Sequence, residues 1–159
     1  MKGKAIILMG SDKDLIFSQK IANFLKLLGV NHEFRVASAH KTPEQVLKII
    51  ADFEKEKIVF ITVAGRSNAL SAFVDANSSN PVIACPPISE KFSGADIFSS
   101  LRVPSGIGSL VTIEPEGAAI ATAKIFGLQD DKIRRLLLDY QLTKKKTIAQ
   151  ANEKISKLR

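Results

Sequence analysis

The chain contains few of the residues that mark secreted or metal-binding proteins. Its 159 residues include one cysteine and two histidines. The single cysteine, Cys85, cannot form an internal disulfide, and His32 and His40 lack the clustered spacing of a zinc site. We therefore expect a protein of the reducing cytoplasm with no bound metal, in which Cys85 is a small buried thiol without a part in the chemistry.

Long apolar runs and common nucleotide-binding motifs are also missing. No charged-then-apolar leader opens the chain, and no apolar run has the length of a transmembrane helix. Neither the Gly-x-x-x-x-Gly-Lys-Ser/Thr loop nor the Gly-x-Gly-x-x-Gly fingerprint occurs. The sequence thus indicates neither a membrane partner nor a site for ATP or a dinucleotide.

Basic charge and aromatic residues do not combine into a nucleic-acid site. The net charge is +7, but residues 130–159 hold 9 basic and 4 acidic side chains and so supply most of it. Their apolar residues have helical spacing, so the charges are typical of a solvated helix face. Tyr140 is the only aromatic residue of this segment, so its basic residues are not interleaved with base-stacking side chains and no nucleic-acid partner is expected.

Short apolar runs alternate with segments of helical period, in a chain that is 45% hydrophobic and long enough for one domain spanning residues 1–159. Strands are predicted at residues 4–9, 33–37, 58–64, 81–84 and 109–113. Helices are predicted at residues 15–28, 43–56, 68–77, 95–101 and 115–126, with a long C-terminal helix after Gly127.

This alternation predicts an α/β fold in which a parallel sheet lies between two helical layers, because parallel crossovers need the length of a helix. Five strands favour the three-layer flavodoxin-like arrangement with the order 2-1-3-4-5. Residues 1–128 would form this doubly wound core, and residues 129–159 would form the C-terminal helix.

Polar loops follow the first three predicted strands, at residues 10–14, 38–41 and 65–68. Ligands of such sheets bind beyond the carboxyl ends of the strands, so we expect the three loops to converge on one pocket. Residues 42–45 have the form of a helix start, with Thr42 as N-cap, Pro43 at the first position and Gln45 completing a capping box.

Four side chains in the first two loops suit a phosphorylated ligand that undergoes proton transfer. Ser11 and Lys41 can hold a phosphate, and Asp14 can accept hydrogen bonds from ribose hydroxyls. Imidazole takes and returns a proton near neutral pH, which makes His40 the candidate acid and base. Taken singly, each loop is equally compatible with an ordinary capped turn.

Six motifs together resemble the phosphoribosylaminoimidazole carboxylase family of purine biosynthesis. They are Gly10-Ser11 with Asp14, residues 38–42, residues 64–71, Cys85-Pro86-Pro87, residues 94–97 and residues 99–107.

The third loop separates the two classes of this family. The mutase class, which isomerises an N-carboxylated aminoimidazole ribonucleotide, typically has Ala-Gly-Gly-Ala-Ala-His-Leu-Pro-Gly-Met there and Ser-Ala-His-Arg in the second loop. This chain has Arg66-Ser67-Asn68-Ala69 without the histidine, and Lys41 in place of the arginine. It is similar to the class II carboxylases, which use carbon dioxide directly. Lys13 departs from the family pattern, which has serine there.

The resemblance implies a carboxy-lyase that carboxylates 5-aminoimidazole ribonucleotide (AIR) at C4 with carbon dioxide, without ATP, biotin or metal. It implies His40 as the proton-transfer residue and a cytoplasmic homo-oligomer, a tetramer or octamer, with contacts through the C-terminal helix. Residues 89–96 resemble a family loop that lies near the site. The substrate-binding residues would be Ser11, Asp14, Ser38, Lys41, Gly65, Ser67 and Asn68, with Asn68 holding the nascent carboxylate.

Two alternatives to the carboxylase stay open at this point, as does the role of Arg66. The chain could be the mutase of the same family, or a flavodoxin-like module that binds a nucleotide phosphate without catalysis. Arg66 could contact substrate, but an arginine after a strand is more often an ion-pairing or interface residue.

Overall fold

The computed structural model describes residues 3–158; Met1, Lys2 and Arg159, which the predicted domain includes, lie outside the described residues. Five parallel strands form one sheet in the order β2-β1-β3-β4-β5, which confirms the predicted topology. The strands are β1 (Lys4–Met9), β2 (Asn31–Val36), β3 (Ile58–Val63), β4 (Val82–Ala84) and β5 (Leu110–Val111). The helices are α1 (Leu15–Leu27), α2 (Pro43–Phe53), α3 (Leu70–Ala76), α4 (Phe98–Leu101), α5 (Pro115–Phe126) and α6 (Asp131–Ile155).

Two apolar cores lie on opposite faces of the sheet, because successive side chains of a strand point to opposite sides. In β1, Ile7 and Met9 pack with the buried faces of α1, α5 and α6, whereas Ile6 and Leu8 pack with those of α2 and α3. Every residue of β3 is buried, as expected for a central parallel strand covered on both faces. The structure therefore has the three layers that the sequence predicts.

Helix α2 begins where the sequence predicts, with Thr42 as N-cap and Pro43 in the first turn, but the predicted capping box is wrong. The Thr42 hydroxyl makes no bond to the helix. It accepts from the Ser38 amide at 3.0 Å and lies 3.3 Å from the Ser38 carbonyl oxygen. The hydroxyl closes the preceding loop, and this local bond replaces the cap.

Helix α6 is joined to the body through its first half. The Asp130 carboxylate caps it by accepting from the amides of Lys132 and Ile133, and Ile133 and Leu137 are its buried residues. Further along, the Tyr140 hydroxyl donates to the Glu116 carboxylate on α5. From residue 142 onward the described side chains of this segment are exposed. No helix within residues 3–158 is both long and apolar enough to cross a membrane.

Candidate active site

The first three strands end at one level, so the loops that follow them begin side by side. Met9 is in register with Val36 on one side and with Val63 on the other. The pairing continues one residue further, because the Gly10 amide donates to the Val63 carbonyl at 2.8 Å and the Ala37 amide to the Met9 carbonyl at 3.0 Å. We call the following segments loop 1 (residues 10–14), loop 2 (residues 38–42) and loop 3 (residues 64–69).

Loop 1 brings a serine and a half-buried carboxylate to the start of α1. Ser11 begins a short 3-10 turn, and its hydroxyl oxygen accepts from the Lys13 amide at 3.2 Å while donating to Asp12 at 3.0 Å. Burial raises the pKa of Asp14 and nearby Asp12 adds to the rise, although a backbone bond at Ser11 opposes it. Asp14 therefore carries a partly desolvated charge that hydrogen-bond donors from a ligand would stabilise.

Loop 2 is a closed turn with the imidazole at its tip. The amides of Lys41 and Thr42 donate to the Ser38 carbonyl at 3.3 and 2.8 Å, and the Lys41 amide also lies 3.3 Å from the Ser38 hydroxyl. His40 and Lys41 are exposed, and neither side chain has a hydrogen bond or ion pair with another residue in the described part of the chain. The turn thus holds both side chains in solvent contact at the edge of the sheet.

Loop 3 is held tightly by the segments that follow β4. A Cβ built on Gly65 would lie 2.7 Å from the Pro87 carbonyl oxygen, so the backbone passes there without room for a side chain. Arg66 has a φ of 60°, in the left-handed region that costs a residue with a Cβ about 1–3 kcal/mol. Ser67 is exposed beside it. A conformation of this kind persists only because its surroundings fix it.

Asn68 is the one predicted site residue that the structure buries, with 3% of its surface exposed. Its side-chain oxygen accepts from the Ser71 amide at 3.2 Å, which secures the start of α3, and its side-chain nitrogen donates to the Ser100 hydroxyl at 2.9 Å. One N–H of this carboxamide remains without a partner among residues 3–158. Most of the hydrogen-bonding capacity of Asn68 therefore serves the loop itself.

Sequence pattern alone assigns no individual role to the side chains that hold loop 3. Asp96 and Ser99 bond to its backbone, and Ser100 bonds to Asn68. They lie in the motifs at residues 94–97 and 99–107, so the resemblance contained the signal, but nothing in their spacing predicts which loop they contact.

Neither Cys85 nor the cavity at the opposite edge of the sheet belongs to this arrangement. Burial raises the pKa of the Cys85 thiol to about 12, so the thiol stays protonated at neutral pH. A cavity of about 520 Å3 lies at the amino ends of the strands, lined by residues that include Ile58, Asn80 and Phe126. None of the predicted site residues lines it.

Parallel strands with helices on both faces, and polar loops gathered at three adjacent carboxyl ends, define a flavodoxin-like α/β protein with a strand-end binding edge. The family model described as AIR carboxylase matches residues 4–147. The chain belongs to this family of purine-biosynthesis enzymes, which confirms the resemblance drawn from its motifs.

Relatives match along nearly the whole chain. A phosphoribosylaminoimidazole carboxylase of Archaeoglobus fulgidus is 56% identical over 152 residues, covering 96% of this chain and 84% of that protein. A phosphoribosylaminoimidazole carboxylase of Treponema denticola is 43% identical over 159 residues, covering 99% of this chain and 100% of that protein. The crystal structure of Treponema denticola PurE superposes with a TM-score of 0.93 at 43% identity, covering 96% of this chain and 98% of the other.

Proposed function

We propose that this chain carboxylates AIR at C4 with carbon dioxide to give 4-carboxy-5-aminoimidazole ribonucleotide, reversibly and without ATP, in de novo purine (IMP) biosynthesis. The observation that carries the proposal is the common level at which loops 1, 2 and 3 leave the sheet, with His40 at the tip of loop 2, next to loop 1. Membership of the AIR carboxylase family supports the substrate class.

The chemistry asks little of the protein beyond positioning and one proton transfer. The aminoimidazole ring is electron-rich at C4, so its π electrons form the new carbon–carbon bond once carbon dioxide is aligned with it. This leaves C4 tetrahedral, carrying both a proton and the carboxylate. Neutral His40 would take that proton, and the electrons of the broken C–H bond restore the aromatic ring. In the reverse direction the imidazolium returns the proton to C4.

The binding roles follow from the charges of loops 1 and 2. Lys41 is an exposed cation near the start of α2, and Ser11 lies in the turn that precedes α1, so both suit the phosphate. Asp14, with its partly desolvated carboxylate, suits the ribose hydroxyls. Ser38 in loop 2 is a further proposed contact.

Loop 3 is assigned to the aminoimidazole and carboxylate end of the ligand. The backbone at Gly65 passes close to the Pro87 carbonyl oxygen, and the Ser67 side chain beside it is exposed. Asn68 has one free N–H for a nascent carboxylate, but its buried bonds favour a part in holding the loop.

The residues of loop 3 also favour the carboxylase over the mutase. Loop 3 has no histidine, whereas the mutase pattern includes one. The two activities differ in their source of carbon. Product formed from AIR and dissolved carbon dioxide without ATP would support the carboxylase, and turnover of the N-carboxylated isomer alone would establish the mutase.

The decisive experiment compares wild type with His40→Asn, using His32→Asn as the matched control. His32 is the only other histidine and lies on β2 opposite Ala5, at the amino end of the sheet. Loss of general acid–base catalysis should lower kcat of His40→Asn by about 10²–10⁴-fold. AIR binding, measured by calorimetry, should change little, and His32→Asn should keep the wild-type kcat.

The same measurements separate an enzyme from a non-catalytic binding module. If the chain is a non-catalytic module, wild type and both variants should bind AIR, and none of the three should convert it. If His40→Asn keeps the wild-type kcat, His40 is not the residue that transfers the proton.

We also propose that the chain forms one domain, acts in the cytoplasm and assembles as a homo-tetramer or octamer through α6. Beyond Leu137 this helix presents exposed apolar residues, Leu142 at 49% and Ile148 at 71%. Covering that surface in a second copy would bury apolar area that a single chain leaves in water. Analytical ultracentrifugation of wild type and Ile148→Asp tests this, and a wild-type monomer at micromolar concentration would refute it.

A further inference from the structure

Two backbone amides of loop 3 have their acceptors not in the loop itself but in a segment about thirty residues away. The Asp96 carboxylate oxygen Oδ2 accepts from the Arg66 amide at 3.3 Å and from the Ser89 amide at 3.0 Å. The Ser99 hydroxyl lies 2.9 Å from the Arg66 carbonyl oxygen and accepts from the Asn68 amide at 2.9 Å. Two backbone amides of loop 3, those of Arg66 and Asn68, are thus held by two side chains, and the hydroxyl hydrogen of Ser99 has a nearer acceptor in the Asp96 carbonyl at 2.7 Å.

Of these two side chains, Asp96 bears directly on the residue in the unfavourable conformation. The backbone of Arg66 is left-handed, and a residue with a Cβ leaves that region unless something holds it. The acceptor of the Arg66 amide is a carboxylate oxygen at 3.3 Å, at the long end of hydrogen-bond distances. Because the same oxygen also binds the Ser89 amide, one atom ties loop 3 to the segment that follows Pro87.

We propose that Asp96 is a positioning residue for the candidate active site, whose carboxylate holds Arg66 in its left-handed conformation and so sets the backbone of Gly65 and Ser67. This inference rests on the proposed function for the identity of the ligand. Asp96 acts through loop 3 and is not assigned any contact with substrate. What it supplies is an acceptor oxygen at one point, not a proton.

The chain contains a matched control. Asp75 on α3 also uses one carboxylate oxygen to hold a backbone amide, that of Gly108, at 2.7 Å. This second bond anchors a neighbouring segment to a helix but makes no contact with loop 3. Asp75→Ala therefore removes a hydrogen bond of the same kind, from a backbone amide to a carboxylate, and leaves the bonds of loop 3 in place.

The experiment measures kcat, KM for AIR and the calorimetric Kd for AIR in wild type, Asp96→Ala, Asp96→Asn and Asp75→Ala. Released loop 3 should raise KM and Kd of Asp96→Ala roughly tenfold or more. Asp96→Asn keeps an acceptor oxygen and should stay within about threefold of wild type. Asp75→Ala should match wild type in KM and Kd. Amide hydrogen exchange should accelerate at Arg66 and Ser89 in Asp96→Ala alone.

A merely structural role predicts a different result. The active fraction and hence apparent kcat would fall with the folded fraction, while KM and Kd stayed at wild-type values, and that outcome overturns the proposal. The proposal is also overturned if Asp96→Asn weakens AIR binding as much as Asp96→Ala does, because the acceptor oxygen that asparagine retains would then not be sufficient to position loop 3. A wild type that binds AIR without turnover refutes the proposed function instead, and the Kd and exchange measurements still decide the role of Asp96.

Discussion

Substitution of Gly65 by alanine tests how tightly loop 3 is confined. The new Cβ would lie 2.7 Å from the Pro87 carbonyl oxygen, about 0.7 Å inside the 3.4 Å at which ordinary contact begins. Both atoms are fixed to backbone, so neither can rotate away. Either loop 3 or the segment at Pro87 must shift by several tenths of an ångström.

Two measurable losses follow from this shift. Forcing a methyl group into a filled space costs about 1–3 kcal/mol. For a protein of this size each kcal/mol lowers the melting temperature by about 2–4 °C, so the expected decrease is about 2–12 °C. Displacing a loop proposed to contact substrate should lower kcat/KM by about 10–100-fold.

Gly108→Ala is the matched control for this prediction. A Cβ there meets nothing within 4 Å, and the amide that donates to Asp75 is retained. Thermal unfolding and steady-state kinetics with AIR should show a near wild-type control and an impaired Gly65→Ala. If the two variants melt and turn over alike, the close approach of loop 3 to Pro87 does not constrain the site.

Three further substitutions test individual charges and bonds. Since burial raises the pKa of Asp14 above its ordinary value of 3.8, its carboxylate costs stability at neutral pH; Asp14→Asn should melt higher at pH 7 yet raise KM for AIR. Tyr140→Phe removes the hydroxyl bond to Glu116 and should lower the free energy of unfolding by about 1 kcal/mol in urea. Hydrogen bonds from Ser79 hold the pKa of Glu54 below its ordinary value of 4.5. The stability that these bonds contribute is therefore lost as the pH falls below 4.5, and Glu54→Gln should make the free energy of unfolding depend less on pH in this range.

The strands and their order were predictable because they depend on short-range pattern. The nearly continuous apolar run at residues 58–64 predicts a parallel strand buried on both faces, and the structure has one at Ile58–Val63. Once the strands alternate with helices, the handedness of crossovers leaves few sheet orders. Because the strands are parallel, the loops that follow them leave from the same end of the sheet, which is why loops 1, 2 and 3 lie together.

Predictions that depended on one hydrogen bond were less secure. The sequence around Thr42 predicts a capping box, yet the hydroxyl bonds to Ser38 four residues earlier. Both arrangements satisfy one hydroxyl, and they differ only in how loop 2 is bent. The residue type identified Thr42 as a hydrogen-bonding side chain, but the path of the chain determines its partner.

The sequence by itself determined the elements, their alternation and the edge where Ser11, Asp14, His40 and Lys41 lie. Those features follow from the period of apolar residues and from the topology of parallel sheets, both of which are written in neighbouring positions. Only the tertiary structure decided that Asp96 holds Arg66, because that bond joins residues thirty positions apart whose meeting depends on how every intervening element packs.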